Sequence, residues 1–278
     1  MSYIILKDGT TKNFNEMEAM GIVNVTDNSF YENSRTYNIE DALKRASKLV
    51  EEGATFIDVG GESTRPGSDP VDAQEEINRV CPVIREIKKL YPNILISVDT
   101  YRARTAEKAI EAGADIINDI SGLTFDKDMV KVISKTKVPL ILMHIKGNPK
   151  NMHINPQYDN LVEEVYSFLK EQMEFAYNNG VEKNKIIIDL GIGFGKNAHH
   201  NIELLKNISY FDKLNVPHLL AVSRKRFIGS TLHLDDANDR LFGTVGISVY
   251  AKMKGIEIMR VHDVKENLEA VRMVEALL

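Results

Sequence analysis

Asp58 in TFIDVG, Asp99 in ILISVD, Asn118 in DIIND and Asp189 in KIIIDL each interrupt or close a short apolar run with a hydrogen-bonding group. Asn24 does the same in AMGIVNV, and His144 follows Met143 in PLILMH. Carboxylates accept from amino and ring N–H donors, while an amide side chain both donates and accepts. Asp99, Asn118 and Asp189 therefore suit the edge of a flat, nitrogen-rich heterocycle. A second set is basic: Ser223-Arg224-Lys225 ends HLLAVS, and Arg260 and His262 end IEIMRVH. Arg grips phosphate oxygens through two parallel N–H donors, and Lys adds a point charge. Acidic groups on one side and basic groups on the other imply a bound heterocycle that carries an anionic leaving group. Any one such residue is explained by a half-exposed strand end; the whole set is not.

The elements that must position these groups alternate along the chain. Apolar β-branched runs cover residues 19–25, 55–60, 94–99, 115–119, 139–144, 185–190, 218–223 and 256–262. Between and after them, at 39–53, 72–90, 103–113, 126–136, 158–180, 200–214, 239–255 and 264–278, apolar residues recur near every 3.6 positions. Gly53, Gly113, Gly180 and Gly255 end four of these segments, the usual left-handed helix stop. Strand then helix, eight times over, predicts a parallel sheet. Eight units in this length match a closed (β/α)8 TIM barrel, with a doubly wound open sheet as the alternative. No linker or composition shift divides the chain, so residues 1–278 are expected to form a single barrel domain. The stretch before residue 17 is expected to be a small cap or hairpin closing the bottom of the barrel. Active sites of such barrels lie at the C-terminal strand ends, with phosphate often bound after the last two strands. The two polar sets fall there.

The composition narrows the classes of function. Of 278 residues, 43% are hydrophobic and 27% charged, as expected for a globular protein with a large core. The net charge of −5 gives no electrostatic reason to expect nucleic acid as a partner. No basic leader and no apolar stretch near the roughly 20 residues of a spanning helix is visible, so a cytoplasmic location without membrane contact is expected. Cys81 is the one cysteine, which excludes an intrachain disulfide, and its helical setting suits the core. DLGIGFGKN (189–197) lacks the glycine spacing of a Walker A loop and reads as a tight turn that lets backbone approach a ligand. The adjacent His199 and His200 read as an exposed helix start rather than a metal site.

Taken in order, MGIVNVT (20–26), GGESTRPGS (60–68), SVDT (97–100), IINDISG (116–122), LMHIKGNPKNM (142–152), DLGIGFGK (189–196), AVSRKRFIG (221–229) and RVHDV (260–264) resemble the dihydropteroate synthase family over nearly the whole chain. The resemblance implies a transferase of folate biosynthesis. It would condense 6-hydroxymethyl-7,8-dihydropterin diphosphate with 4-aminobenzoate to give 7,8-dihydropteroate and pyrophosphate. It implies a dissociative substitution under mobile loops, a Mg2+ cofactor, sulfonamides as competitors of 4-aminobenzoate, and a homodimer in contact through residues 239–255 and 264–278.

Site roles follow from the same resemblance. Asp99, Asn118, Met143, Asp189, Phe194, Lys225 and Arg260 would form the pterin pocket. Asn24, Arg65, Arg260 and His262 would bind the pyrophosphate, with Mg2+ at Asn24. Phe30, Thr64, Pro66, Ser223 and Lys225 would frame the aminobenzoate. Asn24, Lys225, Arg260, His262 and Asp27 would be the catalytic group. The first loop departs from the family's usual NVTPDSF and Asp-Gly-Gly: Asp27 stands for Pro, Asn28 for Asp, and Glu32-Asn33-Ser34 for the hinge. Asn28 cannot offset a cation, so Asp27 or Glu32 would have to supply that charge. Leu190 replaces a usual Pro. Two other readings stay open: a pterin-binding paralogue that catalyses poorly, and a methyl-tetrahydrofolate-binding methyltransferase of the same fold.

Overall fold

The computed structural model describes residues 2–25, 34–63 and 69–278. A hairpin of β1 (Ser2–Ile5) and β2 (Thr11–Phe14) comes first. Eight strands then follow: β3 (Glu18–Asn24), β4 (Phe56–Gly60), β5 (Leu95–Asp99), β6 (Ile116–Asp119), β7 (Leu140–Met143), β8 (Ile186–Asp189), β9 (His218–Ala221) and β10 (Ile258–Val261). Each pairs in parallel with the next, and β10 pairs with β3, closing the barrel. The open-sheet alternative is thereby excluded. Between and after the barrel strands lie α1 (Ser34–Glu51), α2 (Ala73–Leu90), α3 (Ala103–Ala112), α4 (Met129–Thr136), α5 (Leu161–Asn178), α6 (Ala198–Lys206), α7 (Arg226–Leu232), α8 (Leu241–Met253) and α9 (Val264–Glu275).

Side chains alternate across each strand, and this sorts the core into layers. Outward residues such as Ile57, Val98, Ile117 and Leu142 join the helices in the main core cluster. Inward residues near the strand starts (Met20, Phe56, Ile116, Ile141, Ile187, Leu219 and Ile258) form a second cluster with Ile4 and Phe14 of the hairpin. The hairpin thus plugs the barrel floor, with the Phe14 ring stacked on Phe56 at 6.5 Å between centroids. Two or four residues further along the same inward rows come Asn24, Asp58, Asp99, Asn118, Asp189 and Arg260. An apolar floor under a polar mouth is therefore written into the period of two.

The helix stops behave as their glycines dictate. Gly113 caps α3 at φ 117°, a conformation that costs most residues a clash at Cβ. Two helical features differ from the sequence expectation. Segment 200–214 splits at Asn207 into α6 and a 3-10 stretch, Ile208–Leu214. Helix α7 was not expected: seven residues give too few turns for an apolar period to show, although Phe227 and Ile228 are buried.

Candidate active site

The barrel mouth brings Asp58, Asp99, Asn118, Asp189, Lys225 and Arg260 together from six strands or their ends. Arg260 links two of the carboxylates. Its Nε donates to Asp58 Oδ2 at 2.6 Å, and its Nη2 donates to Asp99 Oδ2 at 2.9 Å. Asn118 Nδ2 approaches Asp58 at 3.4 Å. Asp58 belongs to the row of strand-end residues, but the sequence reading gave it no role; its role comes from a partner 202 positions away.

Burial sets the protonation of this cluster. It pushes Asp99 up to about 7, against the lowering effect of the Arg260 charge and helped by nearby Asp58. Burial also raises Asp189, opposed by Lys225, and lowers Lys225 to about 8, opposed by Asp189. Both members of that pair are thus driven toward their neutral forms by loss of water. The Lys225 ammonium donates to the Ile192 carbonyl and lies 4.8 Å from the centre of the Phe194 ring. Phe194 and Tyr101 pack on Ile120, Met143, Ile145 and Met152, an apolar wall beside the polar mouth. Ile120, Ile145 and Met152 went unnamed in the sequence reading, because a buried apolar residue after a strand carries no local mark of function.

The last two strand ends hold a second group. Ser223 Oγ lies 2.9 Å from His262 Nδ1 and accepts the His262 backbone N–H at 3.1 Å. Ser223, expected against the aminobenzoate, thus also turns its hydroxyl onto His262. Burial, with Arg260 adding to it, lowers His262 to about 4, so the imidazole is neutral near pH 7. In the free protein it therefore offers a hydrogen bond rather than a charge. Arg224 departs from the expected basic set. At φ 54° its backbone is left-handed, and its guanidinium makes two bonds to Asp263, at 2.7 and 2.8 Å, and others to the Ala237 and Asn238 carbonyls. Arg224 ties loops together while Lys225, one position on, joins the mouth. Arg45 of α1 donates to the His262 carbonyl, a contact between distant segments that the sequence reading missed.

The glycine-rich turn after β8 also packs closely on the chain itself. A Cβ on Gly191 would sit 1.8 Å from the His144 carbonyl oxygen, and one on Gly195 would sit 2.4 Å from that of Lys146. At these two glycines the close approach is to the backbone after β7. Lys196 locks the two segments together: its buried Nζ meets His144 Nδ1 at 2.8 Å, Gly191 O at 2.9 Å and Phe194 O at 3.0 Å. Burial lowers both Lys196 and His144 well below their ordinary values. Leu190, in place of the usual Pro, is buried in the main core.

Asn24 is exposed at the end of β3. Asp27 and Phe30, and likewise Thr64, Arg65 and Pro66, lie outside the described residues. His200 caps the start of α6 through Asn197, and no group of three or more His, Cys, Asp or Glu that could hold a metal occurs among the described residues. Cys81 is buried in α2, and burial raises its thiol pKa, which suits a core residue.

The mouth can therefore read a flat N–H-rich edge with carboxylates and an amide, against an apolar wall and beside neutral and cationic donors. The family model for pterin binding enzymes matches residues 20–262. The chain is 41% identical to dihydropteroate synthase of Escherichia coli (strain K12) over 274 residues, covering 99% of this chain and 96% of that one. Among solved structures, the Yersinia pestis dihydropteroate synthase in complex with a sulfonamide drug superposes with a TM-score of 0.92 at 39% identity, covering 99% of this chain and 98% of that one. Dihydropteroate synthase from Xanthomonas albilineans in complex with 7,8-dihydropteroate gives 0.88 at 32% identity, covering 100% and 98%. A matched span of this extent, on a barrel whose mouth has this chemistry, shows that the chain belongs to the pterin-binding enzyme family.

Proposed function

We infer that the chain acts as a dihydropteroate synthase, joining 6-hydroxymethyl-7,8-dihydropterin diphosphate to 4-aminobenzoate with release of pyrophosphate in folate synthesis. The observation that carries this reading is Arg260 spanning Asp58 and Asp99 beside Asn118, Asp189 and Lys225. Asp99, Asn118 and Asp189 take the N–H edge of the pterin. Met143 and Phe194 line its ring, Arg260 stacks on its face, and Lys225 reaches between it and the second substrate. Phe30, Thr64, Pro66, Ser223 and Lys225 frame the aminobenzoate. Asn24, Arg65, Arg260 and His262 hold the diphosphate.

In the reaction the bond from the pterin methylene to the diphosphate oxygen breaks first. Ring electron donation supports the methylene cation, and the aromatic amine then forms the C–N bond and loses its proton. Donors held in place before the reaction stabilise the charge that gathers on the leaving group. The Asn24 side chain is exposed, makes no hydrogen bond with the other described residues, and stands where no cage of three or more acidic or His/Cys groups occurs among them. That donor set fits Mg2+, which commonly takes few protein ligands and fills its shell with phosphate oxygens and water. An ion held by Asn24 would supply positive charge to offset that of the pyrophosphate. Asp27 or Glu32 supplies the loop carboxylate that Asn28 lacks. The chain works in the cytoplasm as one barrel domain, and as a homodimer through α8 and α9.

The test incubates the protein with the pterin diphosphate, 4-aminobenzoate and Mg2+ and follows pyrophosphate release. Turnover is expected; tight pterin binding with no release would leave a binding protein instead. Asp27→Ala is expected to lower kcat more than pterin affinity, and unchanged kcat would remove Asp27 from the mechanism.

A further inference from the structure

Ser223 makes two contacts with a single residue. Its Oγ accepts the backbone N–H of His262 at 3.1 Å and lies 2.9 Å from ring Nδ1. The serine is 8% exposed, and its hydroxyl proton has no other acceptor among the described residues. Buried hydroxyls place their proton on a partner. Here that partner is Nδ1, which must then be the unprotonated ring nitrogen. In a neutral imidazole the remaining proton sits on Nε2, because the bond made at one nitrogen decides the state of the other.

The backbone around the ring is fixed separately. Arg45 donates to the His262 carbonyl, and the next residue, Asp263, is held by Arg224 through two bonds at 2.7 and 2.8 Å. These contacts place the Cα of His262 but leave the ring's proton undecided. Only Ser223 touches the ring's hydrogen-bonding atoms among the described residues.

We propose that Ser223 is a positioning residue that holds His262 as the Nε2–H tautomer, so that the imidazole offers one neutral N–H donor to the anionic leaving group. This rests on the reading that His262 meets the diphosphate. The opposite tautomer would present a lone pair to an anion, which repels it. A neutral donor also leaves the cationic share of the work to Arg65 and Arg260.

The first measurement is nitrogen-15 NMR of histidine-labelled protein, with His262→Gln used to assign the resonance. The wild type is expected to show Nδ1 unprotonated and Nε2 protonated. Ser223→Ala is expected to mix the two tautomers and lower kcat about 10- to 100-fold, the range for partners that orient a ligating imidazole. The loss should fall on kcat more than on the KM for 4-aminobenzoate, and Ser223→Thr, which keeps a hydroxyl, should recover most of it. An Nδ1–H signal in the wild type overturns the proposal. So does a Ser223→Ala defect that falls on the KM for 4-aminobenzoate while the tautomer persists. Absence of pyrophosphate release by the wild type, with the Nε2–H signal intact, would instead count against the functional reading.

Discussion

Asp58 and Asp99 share one guanidinium in the free protein, so a ligand that takes Asp99 must displace or share the Arg260 bond. The carboxylate of Asp99 is the form that accepts pterin N–H donors, yet burial holds its pKa up at about 7. Below that pH the free site carries a proton that binding must expel. Pterin affinity is therefore expected to fall as pH drops below about 7, by up to tenfold per unit for one proton. Calorimetry at pH 6 in buffers of different ionisation enthalpy should record close to one proton released. Asp99→Asn should abolish that release and weaken binding by roughly 10- to 100-fold, the worth of a hydrogen bond to a charged group at about 1.5–3 kcal/mol. The sign for folding is the reverse. With the folded value raised above 3.8, the stability that Asp99 contributes is complete at low pH and is lost as pH rises through about 7.

At the scale of elements, the barrel rows and the hairpin divide the labour. The hairpin contributes Ile4 and Phe14 to the floor and comes no nearer the mouth than that cluster. Phe14→Ala is expected to cost about 3 kcal/mol, the low end for a buried Phe, read as a lower urea midpoint with kcat unchanged. The cap was legible in the sequence because a short segment before the first strand had little else to cover. Helix α7 was not legible, and neither was the role of the glycines after β8, since both depend on what packs against them. The strand rows were legible because polar residues end apolar runs, and a period of two needs no tertiary information.

Helix α8 raises a question for the whole molecule. It buries Thr244, Ser248 and Ala251 and leaves Phe242 84% exposed, with Leu241, Val245, Ile247 and Val249 only half-buried. Met253, also on α8, is exposed, and beyond it so are Leu232, Met273 and Leu277 on or beside α7 and α9. Showing apolar residues and hiding polar ones is what an interface helix does before its partner is present. The proposed homodimer would cover this face with a second copy of the chain. On that proposal the wild type is a dimer by light scattering at micromolar concentration and Phe242→Glu shifts it to monomer, since a carboxylate would be buried without a partner. A dimer of unchanged mass would move the interface elsewhere. No helix among the described residues is long and apolar enough to cross a membrane, so this patch is not part of a spanning segment.

The sequence by itself determined the barrel, the floor hairpin and the row of polar residues at the strand ends. These follow from short-range periods of 2 and 3.6 and from glycines at helix stops. The tertiary structure alone decided which way each polar side chain is spent. Arg224 turns to Asp263, 39 positions away, and Arg260 to Asp58, 202 positions away, while Ser223 turns its hydroxyl onto His262. A side chain's direction and its charge depend on the partners and the water around it, and in a barrel those partners come from strands far apart in the chain. Residue type can announce that chemistry is present at a strand end. Only the closed barrel shows that one arginine serves the mouth, another a loop, and that the histidine between them is neutral.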